Sequence, residues 1–196
     1  MQKNSGLRGV TINYPEQKSS LLPDNILKYP YTVQVQGEDV YIVNIAIRAA
    51  YRGFDLFTYK CDNHYIDYIS GHSFNTGIRV GGGSKNGKIC NLQYNPICYT
   101  NGYESKFGSF PNSVKEYGDI AGNYCFDNFD WLVLGDCKNE LLYNDFAFGG
   151  QRGVIFSQDN GKGPQGTSVG LGIDGARRSM YFGGMSPEGF ELINTQ

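Results

Sequence analysis

The sequence predicts an all-β chain, a single-stranded parallel β-helix: a solenoid of about 24 residues per coil, with residues 1–196 forming one domain. Three observations carry this. The composition is that of strands and turns, with 27 Gly, 15 Tyr and 12 Phe among 196 residues and only 18% charged residues. A glycine followed by a short alternating strand recurs in AAYRGFDLF (49–57), SFNTGIRV (73–80), GGQRGVIF (149–156) and MSPEGFEL (185–192), with the shared glycine at Gly53, Gly77, Gly153 and Gly189. A second strand precedes three of these, as VYIVNIAI (40–47), HYIDYIS (64–70) and LLYNDFAF (141–148). Self-similarity at such a period marks a solenoid or array.

Along the chain, LRGVTINY (7–14) reads as a further copy of the upstream strand, and KICNLQY (88–94) as one without a clear glycine partner. In the glycine-led strands, alternation places Phe54, Ile78, Val154 and Phe190 on one face with Leu56, Val80, Phe156 and Leu192. Asp55, Arg79, Ile155 and Glu191 point the other way. A strand this short buries its apolar face only when the next repeat stacks on it. The recurring glycine reads as a bend between strands, a place for positive φ. Asn44, Asn91 and Asn144 take equivalent places, and asparagine tolerates such bends. A leucine-rich repeat needs an L-x-x-L-x-L skeleton that is absent, and a propeller blade needs roughly 40–50 residues. Three short strands and three turns fit the observed interval.

The net charge of −2 and the lack of a basic patch exclude a nucleic-acid binder. No apolar run approaches the ~20 residues of a membrane span. MQKNSGLRGVTINYP has no apolar core of a signal peptide, and GFELINTQ stops in a strand-like pattern. A fragment of a longer chain is therefore expected, extracellular or periplasmic if the parent is secreted. The five cysteines, Cys61, Cys90, Cys98, Cys125 and Cys137, read as small buried hydrophobes, with Cys125–Cys137 the expected bridge in a secreted protein. There is no CxxC, there are two histidines, and SQDNGKGPQG (157–166) lacks calcium-loop spacing, so neither a metal nor another cofactor is expected.

The pattern V-x-I-x-N-I-x-I followed by R-G-F-D-L resembles the pectin-lyase-like right-handed parallel β-helix superfamily. Residues 126–184, FDNFDWLVLGDCKNELLYNDFAFGG through GLGIDGARRSMYFGG, are similar in more detail to bacterial proteins related to family 55 glycoside hydrolases and the pectate lyase superfamily domain. The resemblance covers most of the chain coil by coil and implies a right-handed helix that acts on polysaccharide. Asp174 matches the aspartate of the G-[IL]-G-x-D segment, where Asp-Gly also suits a turn. SGHSFNTGIRVGGG (70–83) is loosely similar to the Gly-His-Gly coil of family 28 polygalacturonases. The paired aspartates of that family are absent, so its machinery is not carried over.

Chemistry is sought where the repeat breaks, at about 99–130. This excursion brings Asp119, Asp127 and Asp130 beside Tyr124 and the lone tryptophan, Trp131. Two carboxyls roughly 5–9.5 Å apart, with an aromatic platform, are what glycoside hydrolysis requires. Coils ~4.8 Å apart place carboxylates in that range. The expected function is a glycoside hydrolase with Asp127 or Asp130 as acid and Asp119 as partner. The alternatives are a polysaccharide lyase and a non-catalytic carbohydrate-binding or adhesive β-helix. Turn-capping aspartates and a core tryptophan are the structural reading of the same residues. Arg79 is a candidate contact to an acidic sugar, and equally a cross-coil ion pair with Asp55. His72, with His64, is a candidate site residue or a satisfied histidine. Arg152, Arg177 and Arg178 bind uronate carboxylates or decorate turns. The expected partner is a polysaccharide or oligosaccharide.

Overall fold

The computed structural model describes residues 1–17, 21–95 and 122–196. Asp119, Cys98 and most of the 99–130 excursion lie outside the described residues. The strands are β1 (Gly6–Asn13), β2 (Tyr31–Gln34), β3 (Tyr41–Leu56), β4 (Tyr65–Val80), β5 (Ser84–Lys85), β6 (Lys88–Cys90), β7 (Gln93–Tyr94), β8 (Asp130–Leu134), β9 (Cys137–Lys138), β10 (Glu140–Phe156), β11 (Gly166–Phe182) and β12 (Phe190–Thr195). A short helix occupies 122–128.

The chain is all-β in architecture, and every pairing between these strands is parallel. Strand order in the main sheet is β1-β3-β4-β6-β10-β11-β12. Strands β6, β7 and β8 each pair with both β4 and β10, so the pairings close a four-strand ring, β4–β6–β10–β8. The long strands β3, β4, β10 and β11 each run through bends as one continuous element, where three short strands were expected.

Register confirms the predicted inward positions for three of the four repeats. Phe54 pairs with Ile78, Ile78 with Leu132, and Leu132 with Val154. All four are fully buried, as are Leu56, Val80, Leu134 and Phe156 one step along. Ile42, Ile66, Ile89 and Leu142 form a second buried column. Each such side chain contributes ~1.5–3 kcal/mol by leaving water. The fourth repeat is different. Phe190, Glu191 and Leu192 pair with Gly166, Thr167 and Ser168, so GFEL is an upstream strand and not a copy of RGFDL.

The repeated glycine is explained by space, not by φ. Gly53, Gly77 and Gly153 do not have positive φ; of the four, only Gly189 does, at 77°. A Cβ at Gly53 would stand 2.2 Å from the carbonyl oxygen of Gly77, one at Gly77 2.5 Å from that of Trp131, and one at Gly153 2.4 Å from that of Ser179. Adjacent passes meet backbone to backbone at this column.

Outside glycine, positive φ is supplied mainly by asparagine. Asn44, Tyr68, Asn91, Asn144 and Asn194 have φ of 52–56° at matching turns, and Asp39, Asn63, Asn86 and Asn139 of 54–59° at another. In the second set the amides form a ladder. Asn63 Nδ2 donates to Asp39 Oδ1 (2.9 Å), Asn86 Nδ2 to Asn63 Oδ1 (3.3 Å), and Asn139 Nδ2 to Asn86 Oδ1 (3.2 Å). Among the described residues, no helix is long and apolar enough to cross a membrane.

Gly77→Ala is expected to lower stability by about 1–3 kcal/mol, because a carbonyl fixed in the sheet cannot retreat. Gly122→Ala, where nothing among the described residues lies within 4 Å of the new Cβ, is expected to leave the denaturant midpoint unchanged or slightly raised. Urea titration of both variants checks this.

Candidate functional site

The predicted site residues that are described fall into four separate places. Arg79 and Asp130 lie on adjacent passes, where Thr76 pairs with Asp130 and Arg79 with Val133, and both side chains are partly exposed. Both are held in ion pairs. Arg79 Nε and Nη2 donate to Asp55 Oδ1 and Oδ2 at 2.8 and 3.1 Å, across the register pair Asp55↔Arg79. Asp55 also accepts from Gln34 Nε2, Thr58 Oγ1 and the backbone N–H groups of Phe57 and Thr58. Burial alone would raise the Asp55 carboxyl, but these donors outweigh it and hold it at about 2. Asp130 accepts from Arg152 Nε (2.7 Å) and Nη2 (2.5 Å) on the next pass. With both oxygens gripped by a guanidinium, Asp130 is poorly placed as a proton donor.

Asp127 is different. It lies in the short helix, its carboxyl is 63% exposed, and its partner Arg177 is itself 59% exposed. Tyr124 and His72 come together around Phe74, with ring centroids 5.8 and 4.9 Å from it. His72 is fully buried, and burial together with Arg48 lowers its imidazole to about 3, so it is neutral. Trp131 belongs to the core and is 0% exposed, which removes its ring from the platform role expected of it. It occupies the register position of Gly77 and Gly153 in the neighbouring passes, and those small residues leave room for the indole. Asp174 and Arg178 are exposed on β11. Asp159 accepts the Gly82 N–H at 2.7 Å and ties the Gly-rich loop to the body.

The aromatic surface lies elsewhere. Tyr41, Tyr65, Tyr68 and Tyr143 are 46%, 39%, 60% and 51% exposed. Tyr41 pairs with Tyr65, and Asp67, Cys90 and Tyr143 form the adjacent outward column. At ~4.8 Å per pass, this surface runs about 14 Å. The Tyr65 hydroxyl donates to Asp67 Oδ2 at 2.8 Å, which pushes the phenol up to about 12. Tyr68 stands in the left-handed region at φ 52°, where the other passes have Asn44, Asn91, Asn144 and Asn194 or the glycines Gly9 and Gly170. A bulky residue there is uncommon and costs backbone strain. The clue available in the sequence was this exchange of Tyr for Asn at one repeat of the turn.

Beneath these surfaces sit buried ionisable groups. His64 Nε2 lies 2.9 Å from Glu140 Oε1, both side chains at 0% exposure, and His64 Nδ1 lies 2.8 Å from the Cys61 carbonyl. The two side chains meet across the pass that carries Gly87, where a Cβ would stand 2.0 Å from the imidazole. Burial would lower His64, but the Glu140 carboxylate and the Cys61 carbonyl raise it to about 10. Asp145 is buried, accepts the Leu92 N–H at 2.9 Å, and is raised by burial to about 7. Cys61, Cys90, Cys125 and Cys137 are buried and unbridged, so the Cys125–Cys137 disulfide is not formed. Among the described residues, no three His, Cys, Asp or Glu side chains converge to hold a metal ion.

Comparison with known proteins finds no matching family model, no matching curated protein and no matching solved structure.

Two pH effects follow. His64 is raised on folding, so its contribution is complete below its unfolded value near 6.5 and is lost as pH climbs through about 10. Glu140→Gln should abolish that alkaline loss and cost about 3–5 kcal/mol at pH 7, read by thermal melts from pH 6 to 10. Asp55 is lowered, so its contribution holds above about 3.8 and is lost as pH falls through about 2. Asp55→Ala, which strands Arg79 and two backbone donors, should lower stability at pH 7 by about 3 kcal/mol and flatten the acid limb of the melting profile.

Proposed function

We propose that this chain is a stretch of right-handed parallel β-helix that binds polysaccharide along its tyrosine surface. The helix reading is supported by uniformly parallel pairing, by partners that recur 23, 24 and 26 residues apart outside the insertion, and by the asparagine turns. The single observation that carries the function is Tyr68. It is a strained, solvent-exposed aromatic in a turn position that the other passes fill with asparagine or glycine, beside three more exposed tyrosines. Backbone strain concentrates at ligand-contacting positions, and this one has no packing return, since the ring faces water.

Tyrosine faces suit sugars. The C–H face of a pyranose is apolar and packs on the electron-rich ring, while the phenol hydroxyl reaches the sugar hydroxyls. The Tyr65 hydroxyl is already fixed by Asp67, so that ring loses little freedom on binding. Lys88 on the next pass and the amides of Asn91 and Asn144 edge the surface with hydrogen-bonding groups.

Glycosidic bond cleavage is the second reading, and Asp127 favours it. Its carboxyl is solvent-accessible, unlike that of Asp130, and it follows the excursion that carries Asp119. A retained signal on a glycan array, lost by about tenfold in Tyr68→Ala and unchanged in Asp127→Asn, is the result expected for binding. Release of reducing sugar that disappears in Asp127→Asn or Asp119→Asn would replace that reading with hydrolysis. Absence of any glycan signal would overturn both.

A further inference from the structure

We propose that Arg52 is the anchor of an oxyanion site, which takes a carboxylate or sulfate ester carried on the polysaccharide. The polymer itself rests on the reading above; the site is separate from the tyrosine surface.

Seven arginines lie on described strands, and three of them are held by carboxylates. Arg79 is paired with Asp55, Arg152 with Asp130, and Arg177 with Asp127. Arg52, partly buried on β3, has no carboxylate partner among the described residues. It stands in register between Tyr31 and Thr76 on the neighbouring passes. Its Nε donates to Asn75 Oδ1 at 3.1 Å, and the Thr76 hydroxyl donates to the same oxygen at 3.1 Å. Its guanidinium carbon lies 5.4 Å from the Tyr51 ring centroid and 5.5 Å from that of Tyr31.

The consequence is a fork held in place on three sides. Two aromatic faces attract the cation and restrict its plane. Asn75 occupies Nε with a neutral acceptor, which orients the group and leaves its charge uncompensated. The two Nη nitrogens have no acceptor among the described residues. A planar pair of N–H donors at fixed separation matches the two oxygens of a carboxylate or sulfate. Arg79, which lies 4.5 Å from the same Tyr31 ring, is already neutralised by Asp55, so it walls the site and leaves the free charge at Arg52.

Affinity electrophoresis of the full chain through gels containing polygalacturonate, sulfated galactan or neutral galactan tests this. Retardation by one of the two anionic polymers at least tenfold stronger than by neutral galactan is expected, and the polymer preferred identifies carboxylate or sulfate. Arg52→Gln should lose about tenfold on that polymer. Arg52→Lys, which keeps the charge and the ring contacts but not the fork, should fall between. Arg8→Gln should match the parent, and Tyr68→Ala should weaken all polymers alike. Equal binding of neutral and anionic polymers, an unchanged Arg52→Gln, or an Arg52→Lys equal to the parent overturns the oxyanion site and leaves polysaccharide binding standing. Retention of no polymer at all overturns both.

Discussion

Everything in this molecule depends on direct backbone stacking between parallel passes. A strand ~4.8 Å from its neighbours above and below offers each side chain two companions in the same column. Columns must therefore be compatible as sets. Apolar sets, such as Phe54, Ile78, Leu132 and Val154, build the interior. Where a carbonyl of the neighbouring pass fills the place of a side chain, as at Gly53 and Gly77, the set must be nearly empty. One large residue, Trp131, is accommodated because the residues on both sides of it are glycines.

The same rule arranges the charges. A cation and an anion in adjacent rows of one column meet at strand spacing without special loops, which is how Asp55 finds Arg79 and Asp130 finds Arg152. Where the row has no acid, as with Arg52, the charge stays available. Inside the body the rule is stricter. His64 reaches Glu140 only because Gly87 vacates the row between them, so three residues far apart in sequence form one electrostatic unit.

Period-two alternation made the inner faces of β3, β4 and β10 readable, because it requires only neighbouring residues. The Asp55–Arg79 contact was readable for the same reason, once one interval was known. The role of the glycine was not, since the obstruction that demands it lies on another pass and leaves no local mark. GFEL was misplaced because one short alternating strand looks much like another in isolation. Trp131 and Asp130 adjoin in sequence, yet one is buried in the core and the other is held by Arg152 at the surface, a division that strict alternation does not give, since Leu132 beside Trp131 is buried as well. The exposed tyrosines were dispersed through three strands, β3, β4 and β10. Their gathering on one side is a product of register, and only Tyr68, standing where asparagine recurs, carried a trace of it.

The amide ladder at Asp39, Asn63, Asn86 and Asn139 has a direction. Each asparagine gives its hydrogen to the residue one pass earlier, and the first acceptor is a carboxylate that gives nothing in return. The dipoles of the column are thus aligned head to tail and end on a negative charge. A parallel array has no hairpin to set its alignment, and a slip by one residue would exchange inside for outside along a whole strand. Such a slip would also break every rung together. The ladder therefore works as a row of teeth: it admits the correct meshing of the passes and rejects its neighbours.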